Sequence, residues 1–313
     1  MAERRYEYAP AGTLPGLLQR GRGLGALMAA EDPAAAAELV YGCVRWEWRW
    51  DREADARDLY LARLVRDLEL PLGPLVELLA VGREAAGRAA RVLELLALGG
   101  SVEAREALRE YVREGEHWEE VLVSLVEAWP GEWWEDLEEV ARERMPEGPE
   151  GPVAHGPVAE SVCDPGEEQA GDVPGLLAGL ERDWVDGRWC GPVVGARALA
   201  RYGPGAVGAV SLLRRFWLYT PHSSERAGYL AALSALGSAG TAEAFTESLW
   251  DCEADARLLG AEHAPDTPRV RARLAYLLDD PIELPRVKNA AEERLAGLGW
   301  EGFERVGAAF EEG

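Results

Sequence analysis

The sequence has very little lysine and no long apolar run. Lys288 is the single lysine among 313 residues, so arginine supplies nearly all of the positive charge. No stretch of 18 apolar residues occurs, and the first residues, MAERRYEYAPAG, lack the apolar core of a signal peptide. We therefore predict a cytoplasmic protein with no membrane partner.

Motifs for metal, cofactor and nucleophile chemistry are also missing. The histidines form no HxH or HExxH pair, and the chain has no phosphate-binding glycine loop and no GxSxG elbow. Four widely separated cysteines without CxxC spacing argue against a zinc site and against a disulfide framework: Cys43, Cys163, Cys190 and Cys252. The sequence therefore predicts no catalytic residue, no cofactor and no metal.

The charge is strongly acidic, with 56 acidic and 33 basic residues and a net charge of −23. A chain of this charge repels phosphate backbones over long range, so nucleic acid is an unfavourable partner. A protein partner with a basic surface fits the charge better, because complementary charge speeds the encounter of two proteins.

Apolar residues recur at i, i+3, i+4 and i+7 along most of the chain, whereas strand-like alternation is nearly absent. In residues 116–129 such a stripe runs from Trp118 to Trp129, and Ser101 can cap the helix before it. Short loops make successive helices antiparallel neighbours. The pattern predicts helices over 12–30, 33–47, 52–69, 72–81, 84–98, 101–113, 116–129, 131–145, 173–184, 189–202, 204–218, 223–237, 241–250, 254–264, 267–278 and 284–298.

Residues 146–172 interrupt this pattern. They contain five prolines, five glycines and seven acidic residues but no lysine or arginine, so they cannot bury an apolar stripe. We predict an acidic loop or linker here. It divides the chain into helical repeats over 1–145 and helical repeats over 173–313.

The chain also contains a near-copy of itself. Residues 50–59 read WDREADARDL and residues 250–259 read WDCEADARLL, so eight of ten positions agree at a distance of 200 residues. Asp51 and Asp251 can each cap a helix with an acidic first turn, and Arg57 and Arg257 can pair back with those acids. Such repetition is typical of arrays of one supersecondary unit.

With these turns the sequence resembles the HEAT-repeat (armadillo-like) family. Residues 233–264 match a whole unit of that family, and residues 93–112 match its Leu-Gly helix ending. The matching turn positions are Asp51, Glu53, Ala56, Arg57, Asp251, Glu253, Ala256 and Arg257. The resemblance implies an all-α fold, a HEAT-like α-solenoid of antiparallel helix pairs interrupted by the acidic linker. It implies a curved binding surface rather than a particular reaction.

Tryptophan and arginine cluster in the segment VRWEWRWD (44–51). Trp133 and Trp134 form a second, adjacent pair of tryptophans. On a helix, Trp46 and Trp50 would share a face and Trp48 would point away, so at least one of the three would be exposed. Exposed tryptophan beside arginine is typical of binding hot spots, although packing between repeats is the simpler explanation. The predicted partner-binding residues are Arg45, Trp46, Trp48, Arg49, Trp50, Trp133 and Trp134.

Three functions follow from this sequence. The first is a non-enzymatic interaction or scaffold protein that uses the concave face of a solenoid. The second is an enzyme on a HEAT scaffold, which modifies a peptide or small molecule or resembles the HEAT-type DNA glycosylases; Trp46, Trp50, Asp51 and Arg57 have suitable residue types for the latter. The third is a structural subunit of a larger assembly.

Overall fold

A computed structural model describes residues 7–144 and 171–298. Within these ranges the protein is all-helical, with three short 3-10 turns at Gly131–Trp133, Gly203–Ala209 and Ser223–Glu225 and no strand. Residues 146–170 of the predicted linker lie outside the described residues. The α-helices, numbered α1 to α17, are Leu14–Gln19, Gly23–Ala29, Pro33–Arg45, Asp58–Asp67, Gly73–Leu78, Arg83–Leu98, Val102–Glu114, Trp118–Ala128, Leu137–Arg144, Val173–Val185, Pro192–Ala200, Val210–Tyr219, Arg226–Ala235, Thr241–Ser248, Ala254–His263, Pro268–Asp279 and Pro285–Gly297.

Several helix starts follow directly from local chemistry. A hydroxyl or carboxylate before the helix accepts a hydrogen bond from the backbone N–H three residues later, which satisfies one of the unpaired donors of the first turn. Ser101 caps α7 in this way, as predicted, and Asp172 caps α10 at the end of the predicted linker. The other caps of this kind are Thr13, Asp32 and Thr267.

The helix predicted over 12–30 is wrong, because it is divided into α1 and α2. Gly21 between them has φ of 63°, a left-handed conformation that favours glycine. A Cβ at this position would lie 2.5 Å from the sulfur of Cys252, and the Gly21 carbonyl accepts a hydrogen bond from the Cys252 N–H. The N–H groups of Gly21 and Arg22 donate to the carbonyls of Leu18 and Leu17, so the glycine itself ends α1, and its lack of a side chain also lets the second half of the chain approach.

The helix predicted over 52–69 begins only at Asp58, and the predicted cap at Asp51 does not form. The Asp51 carboxylate instead accepts from the N–H groups of Glu53 and Ala54, which folds residues 50–57 into a turn. The helix predicted over 33–47 likewise ends at Arg45, so the three tryptophans that follow are not helical. The prediction that Trp46 and Trp50 share one face of a helix is therefore wrong.

Helix pairs stack regularly in the second half of the chain. Four pairs pack side by side: α10 with α11, α12 with α13, α14 with α15, and α16 with α17. The second helices also pack in succession, α11 on α13, α13 on α15 and α15 on α17. In the first half, α6 packs against α3, α4, α7 and α8, and α7 packs against α9.

The described residues form two hydrophobic clusters. The first comes from residues between 18 and 141 together with Cys252, and the second from residues between 176 and 295. Within the described ranges, no helix combines the length and the apolar character that crossing a bilayer requires.

Candidate functional site

The two halves meet along a row of buried charged and polar side chains, which we call the polar seam. Its hydrogen bonds join residues that are up to 225 positions apart in the sequence. The first half contributes the buried residues Arg20, Arg22, Asp55, Arg57 and Arg63. The second half contributes His222, Ser223, Arg226, Asp251, Glu253, Arg257, Asp280 and Glu283, which are also buried.

Asp55 and His222 form the central contact of the seam. The His222 Nδ1 lies 2.7 Å from Asp55 Oδ1, and the N–H of Ser224 donates to the same oxygen at 3.0 Å. The other carboxylate oxygen accepts from the N–H groups of Trp50 and Asp51, each at 3.0 Å. This carboxylate therefore closes its own turn and holds the opposite half of the molecule.

Charge determines how the pair titrates. Burial alone would raise the pKa of Asp55, but the hydrogen bond from His222 and the charge of Arg57 hold the pKa of Asp55 well below its usual range. Burial alone would lower the pKa of His222, but the hydrogen bond and the charge of Asp55 outweigh it and raise the pKa of His222 above 6.5. The charges of Glu225 and Asp51 act in the same direction on the pKa of His222.

We expect the pair to make stability depend on pH. A group with a raised pKa in the folded state stabilises fully below its unfolded pKa, about 6.5 for histidine, and loses that contribution as the pH rises. The Asp55 contribution has the opposite sign and is lost as the pH falls below about 4. The difference in unfolding free energy between the wild type and His222→Gln, measured from pH 5 to 9, should therefore decline above about pH 6.5. A difference that stays constant over this range would contradict the assignment.

Arg57 lies at the middle of the seam. Its Nη1 donates to the Ser223 hydroxyl and to the Cys252 sulfur, each at 2.8 Å, while its Nε and Nη2 have no hydrogen-bond partner among the described residues. It also lines a cavity of about 10 Å³ beside Trp48 and Asp58. A cavity of this size holds at most one water molecule.

A ladder of ion pairs runs along the turns of the second half. Arg226, at the start of α13, donates to Asp251 in the next turn, and Arg257 binds Glu283 in the turn after that with two hydrogen bonds of 2.7 and 2.8 Å. Arg63 of α4 reaches the same ladder and contacts Glu283 at 2.9 Å. Successive turns are therefore tied to one another and to the first half.

The two near-copies, residues 50–59 and 250–259, face each other across the seam. The Ala56 N–H donates to Glu253 Oε1 at 2.8 Å. The prediction that Arg57 and Arg257 pair with the acids of their own turns is wrong. Arg57 donates to Ser223, and Arg257 binds Glu283 in another turn and the backbone carbonyls of its own turn. Sequence reasoning identified the repeated turns, but it did not identify their contact with His222. The segment PHSSERA (221–227), a degenerate copy of the turn, was the available signal.

The first predicted binding segment forms a loop after α3. Arg45 and Trp46 are exposed, with 49% of the Trp46 surface open to solvent. Trp48 is half-buried against the first core, and its carbonyl accepts a hydrogen bond from the Tyr8 hydroxyl. Arg49 forms a two-hydrogen-bond ion pair with Glu47 at 2.7 and 2.9 Å, and Trp50 is half-buried.

Trp133 and Trp134 lie near α7 and α9 instead of on the predicted helix over 131–145. They occupy a 3-10 turn and the residue after it, and both are half-buried against the first core. The Arg109 side chain donates to the Trp133 carbonyl, and the Arg105 guanidinium lies 4.9 Å from the Trp133 ring. These contacts of Trp133 are therefore with arginines of α7.

One group of side chains has metal-binding types: Cys190, His222 and Glu225 have donor atoms within 4.8 Å of one another. Cys190 is disulfide-bonded, whereas Cys43 and Cys252 are buried free thiols. The spacing of the cysteines did not predict this disulfide. The Glu225 carboxylate accepts from the N–H groups of Gly191 and Val193 and from the Tyr229 hydroxyl. The Glu225 carboxylate is thus occupied by hydrogen bonds within the protein, and the Cys190 sulfur is part of a disulfide. This group of side chains therefore gives no support to a metal centre.

Two further cavities lie outside the seam. One of about 70 Å³ lies between α6 and α8, and one of about 230 Å³ lies between α10 and α11. Small-molecule sites usually enclose about 300–1,000 Å³.

Comparison with known proteins finds no match. The chain matches no family model, no curated protein and no solved structure.

Proposed function

We propose that this chain is a non-enzymatic protein-interaction module with a HEAT-like α-solenoid architecture. The succession of α11, α13, α15 and α17 and the ladder of turn ion pairs support this architecture, because solenoid repeats contact mainly their neighbours. Modules of this kind act by presenting a stable surface to a partner rather than by enclosing a substrate.

The exposure of Trp46 carries the proposal. Tryptophan and arginine dominate binding hot spots, and a rigid surface loses less entropy when a partner binds. The Arg88 guanidinium donates to the carbonyls of Val44 and Arg45, which fixes the end of α3 from which Trp46 projects. Trp46 is therefore presented on an ordered backbone.

The enzyme alternative has less support. The pKa of Asp58 is raised by burial, and a perturbed carboxyl beside a cavity is an indication of a catalytic site. The cavity that it lines has a volume of only about 10 Å³, however, far below the roughly 300–1,000 Å³ of usual small-molecule sites. Arg57, one of the residues suited to a glycosylase, is buried in the polar seam.

A cytoplasmic location is part of the proposal. The buried free thiols of Cys43 and Cys252 are compatible with a reducing compartment. The disulfide at Cys190 is of a kind that reducing compartments seldom maintain.

We expect Trp46→Ala to remove a stoichiometric protein partner while leaving the fold intact. Loss of a hot-spot tryptophan costs at least about 2 kcal/mol of binding free energy, or roughly a thirtyfold loss of affinity. Affinity capture from the native host, quantified by mass spectrometry, should compare the wild type with Trp46→Ala. Val185→Ala is a matched control, because 82% of Val185 is exposed and it lies on α10 of the other half.

Two outcomes would contradict the proposal. One is capture of no stoichiometric protein by the wild type, and the other is equal capture by the wild type and Trp46→Ala. Turnover of a substrate that depends on Asp58 would transfer support to the enzyme alternative.

A further inference from the structure

Helix α8 exposes apolar side chains where a surface helix normally carries charge. Its inner side buries Trp118, Val121 and Leu125 against the first core. On the outer side Val123 is 50% exposed and Val126 is 41% exposed. Spacings of three and four residues put both valines on one helical face.

Neither helix stability nor packing accounts for these two valines. Valine is β-branched and stabilises a helix less than alanine, glutamate or lysine does. The adjacent α7 carries only glutamates at its most exposed charged positions, which are Glu103, Glu106, Glu110 and Glu114. An exposed apolar patch rimmed by polar residues is typical of an interaction site, and Val123 and Val126 lie together within a rim of glutamates.

The surroundings of this face are densely acidic. Residues 102–144 contain fourteen acidic and five arginine residues, a net charge of −9 in 43 residues, against −23 for the whole chain. All fourteen carboxylates are exposed. Four of the five arginines are only partly exposed, and two of them fold onto the protein, with Arg109 donating to the Trp133 carbonyl and Arg144 to the Val112 carbonyl. The negative charge therefore dominates what a partner meets.

We propose that the outer face of α8 binds a basic amphipathic helix of a partner protein. This inference rests on the proposed function and specifies the chemistry of its partner. Val123 and Val126 would contact the apolar stripe of that helix, which repeats at i, i+3, i+4 and i+7. Glu119 and Glu127, one turn away on either side of Val123, would meet its lysines and arginines.

The cavity of about 70 Å³ between α6 and α8 lies on another flank of α8 and takes no part in this contact. It is lined by charged side chains, Arg83, Arg91 and Glu120, as well as by Val121 and Ser124. The acidic surroundings repel nucleic acid and anionic membranes, so a peptide is the favoured occupant.

The test uses the full chain and a defined peptide. The probe is a fluorescent 14-residue peptide of leucine and lysine, with leucines spaced to form one helical face. Fluorescence anisotropy should show saturable binding of one peptide per chain. Val123→Ser with Val126→Ser should weaken this binding by at least about tenfold, because two apolar contacts are lost. Val185→Ser should leave the affinity unchanged.

Two further comparisons separate a docking site from general charge attraction. A peptide of the same composition with scrambled leucine positions should bind at least about tenfold more weakly. Glu119→Gln with Glu127→Gln should lower the affinity and also its dependence on salt. Circular dichroism checks that each variant keeps its helices.

Equal binding of the scrambled peptide, or binding that is insensitive to the two serine substitutions, would overturn the proposal. Trp46→Ala distinguishes the two hypotheses, because it should leave the affinity for the peptide unchanged. If Trp46→Ala loses a native partner while the α8 variants bind the peptide as the wild type does, the interaction function stands and the α8 site fails. The reverse pattern would retain the α8 site and reject Trp46.

Discussion

Asp55→Ala should lower the free energy of unfolding by about 3–5 kcal/mol. The substitution removes a buried carboxylate that accepts from the N–H groups of Trp50, Asp51 and Ser224 and from His222. Alanine leaves the three N–H donors without this acceptor and leaves a charged imidazole without its counter-ion, and unpaired buried groups cost more than a lost contact. Urea unfolding at pH 6 would measure the change.

Asp172→Ala is the matched control for this carboxylate. Asp172 is an exposed helix cap of α10, so its loss should cost only about 1 kcal/mol. A double-mutant cycle between Asp55→Asn and His222→Gln would then isolate the pair itself. If Asp55→Ala lowers the free energy of unfolding no more than Asp172→Ala does, the contact between the two halves does not stabilise the fold as we infer.

Arg257→Ala should be comparably destabilising, again by about 3–5 kcal/mol. Arg257 is one of the most completely buried side chains, and its guanidinium binds Glu283 and the carbonyls of Asp251 and Cys252. Without it, Glu283 retains only Arg63 as a cationic partner in the seam, and two carbonyl groups lose their donors. The same unfolding measurement would detect the loss.

Arg286→Ala tests whether burial is the cause. Arg286 pairs with Asp255 at 2.8 Å in the same region, but both side chains are more than half exposed. Its removal should change the unfolding free energy by less than about 1 kcal/mol, since exposed ion pairs contribute little. Similar losses for Arg257→Ala and Arg286→Ala would show that burial does not set the strength of this ladder.

Most helices could be predicted from the sequence because their signals are local. The apolar stripe of α8 and the Ser101 cap of α7 depend only on residues within one or two turns. The predictions fail where such a signal is overlooked or where distant residues decide the conformation. The prediction over 12–30 passes over a local stop signal, because Gly21 ends α1 as a left-handed glycine cap. Only its close approach to Cys252, 231 positions away by residue number, could not be predicted from the sequence.

The polar seam shows why the candidate site could be predicted only in part. The near-copied turns were visible in the sequence, but a repeat does not say whether two copies face each other. Asp55 and His222 are separated by 167 positions, and no periodicity links them. The exposure of a tryptophan in the 44–51 segment was predicted from a helix that ends before Trp46, so the partner-binding role of that residue stays a prediction.

The long sequence separation across the seam has a consequence for how the chain matures during synthesis. Arg63 is translated 220 residues before its partner Glu283, so α4 leaves the ribosome long before its counter-ions exist. Until then its guanidinium groups stay hydrated, and a hydrated charged edge is less prone to aggregate than an apolar one. The part of the seam around Arg63 therefore closes only after the turn between α16 and α17 has been made, and contacts this distant in sequence form slowly. A chain that stops before residue 280 would lack α17 and would leave Arg63 without Asp280 and Glu283.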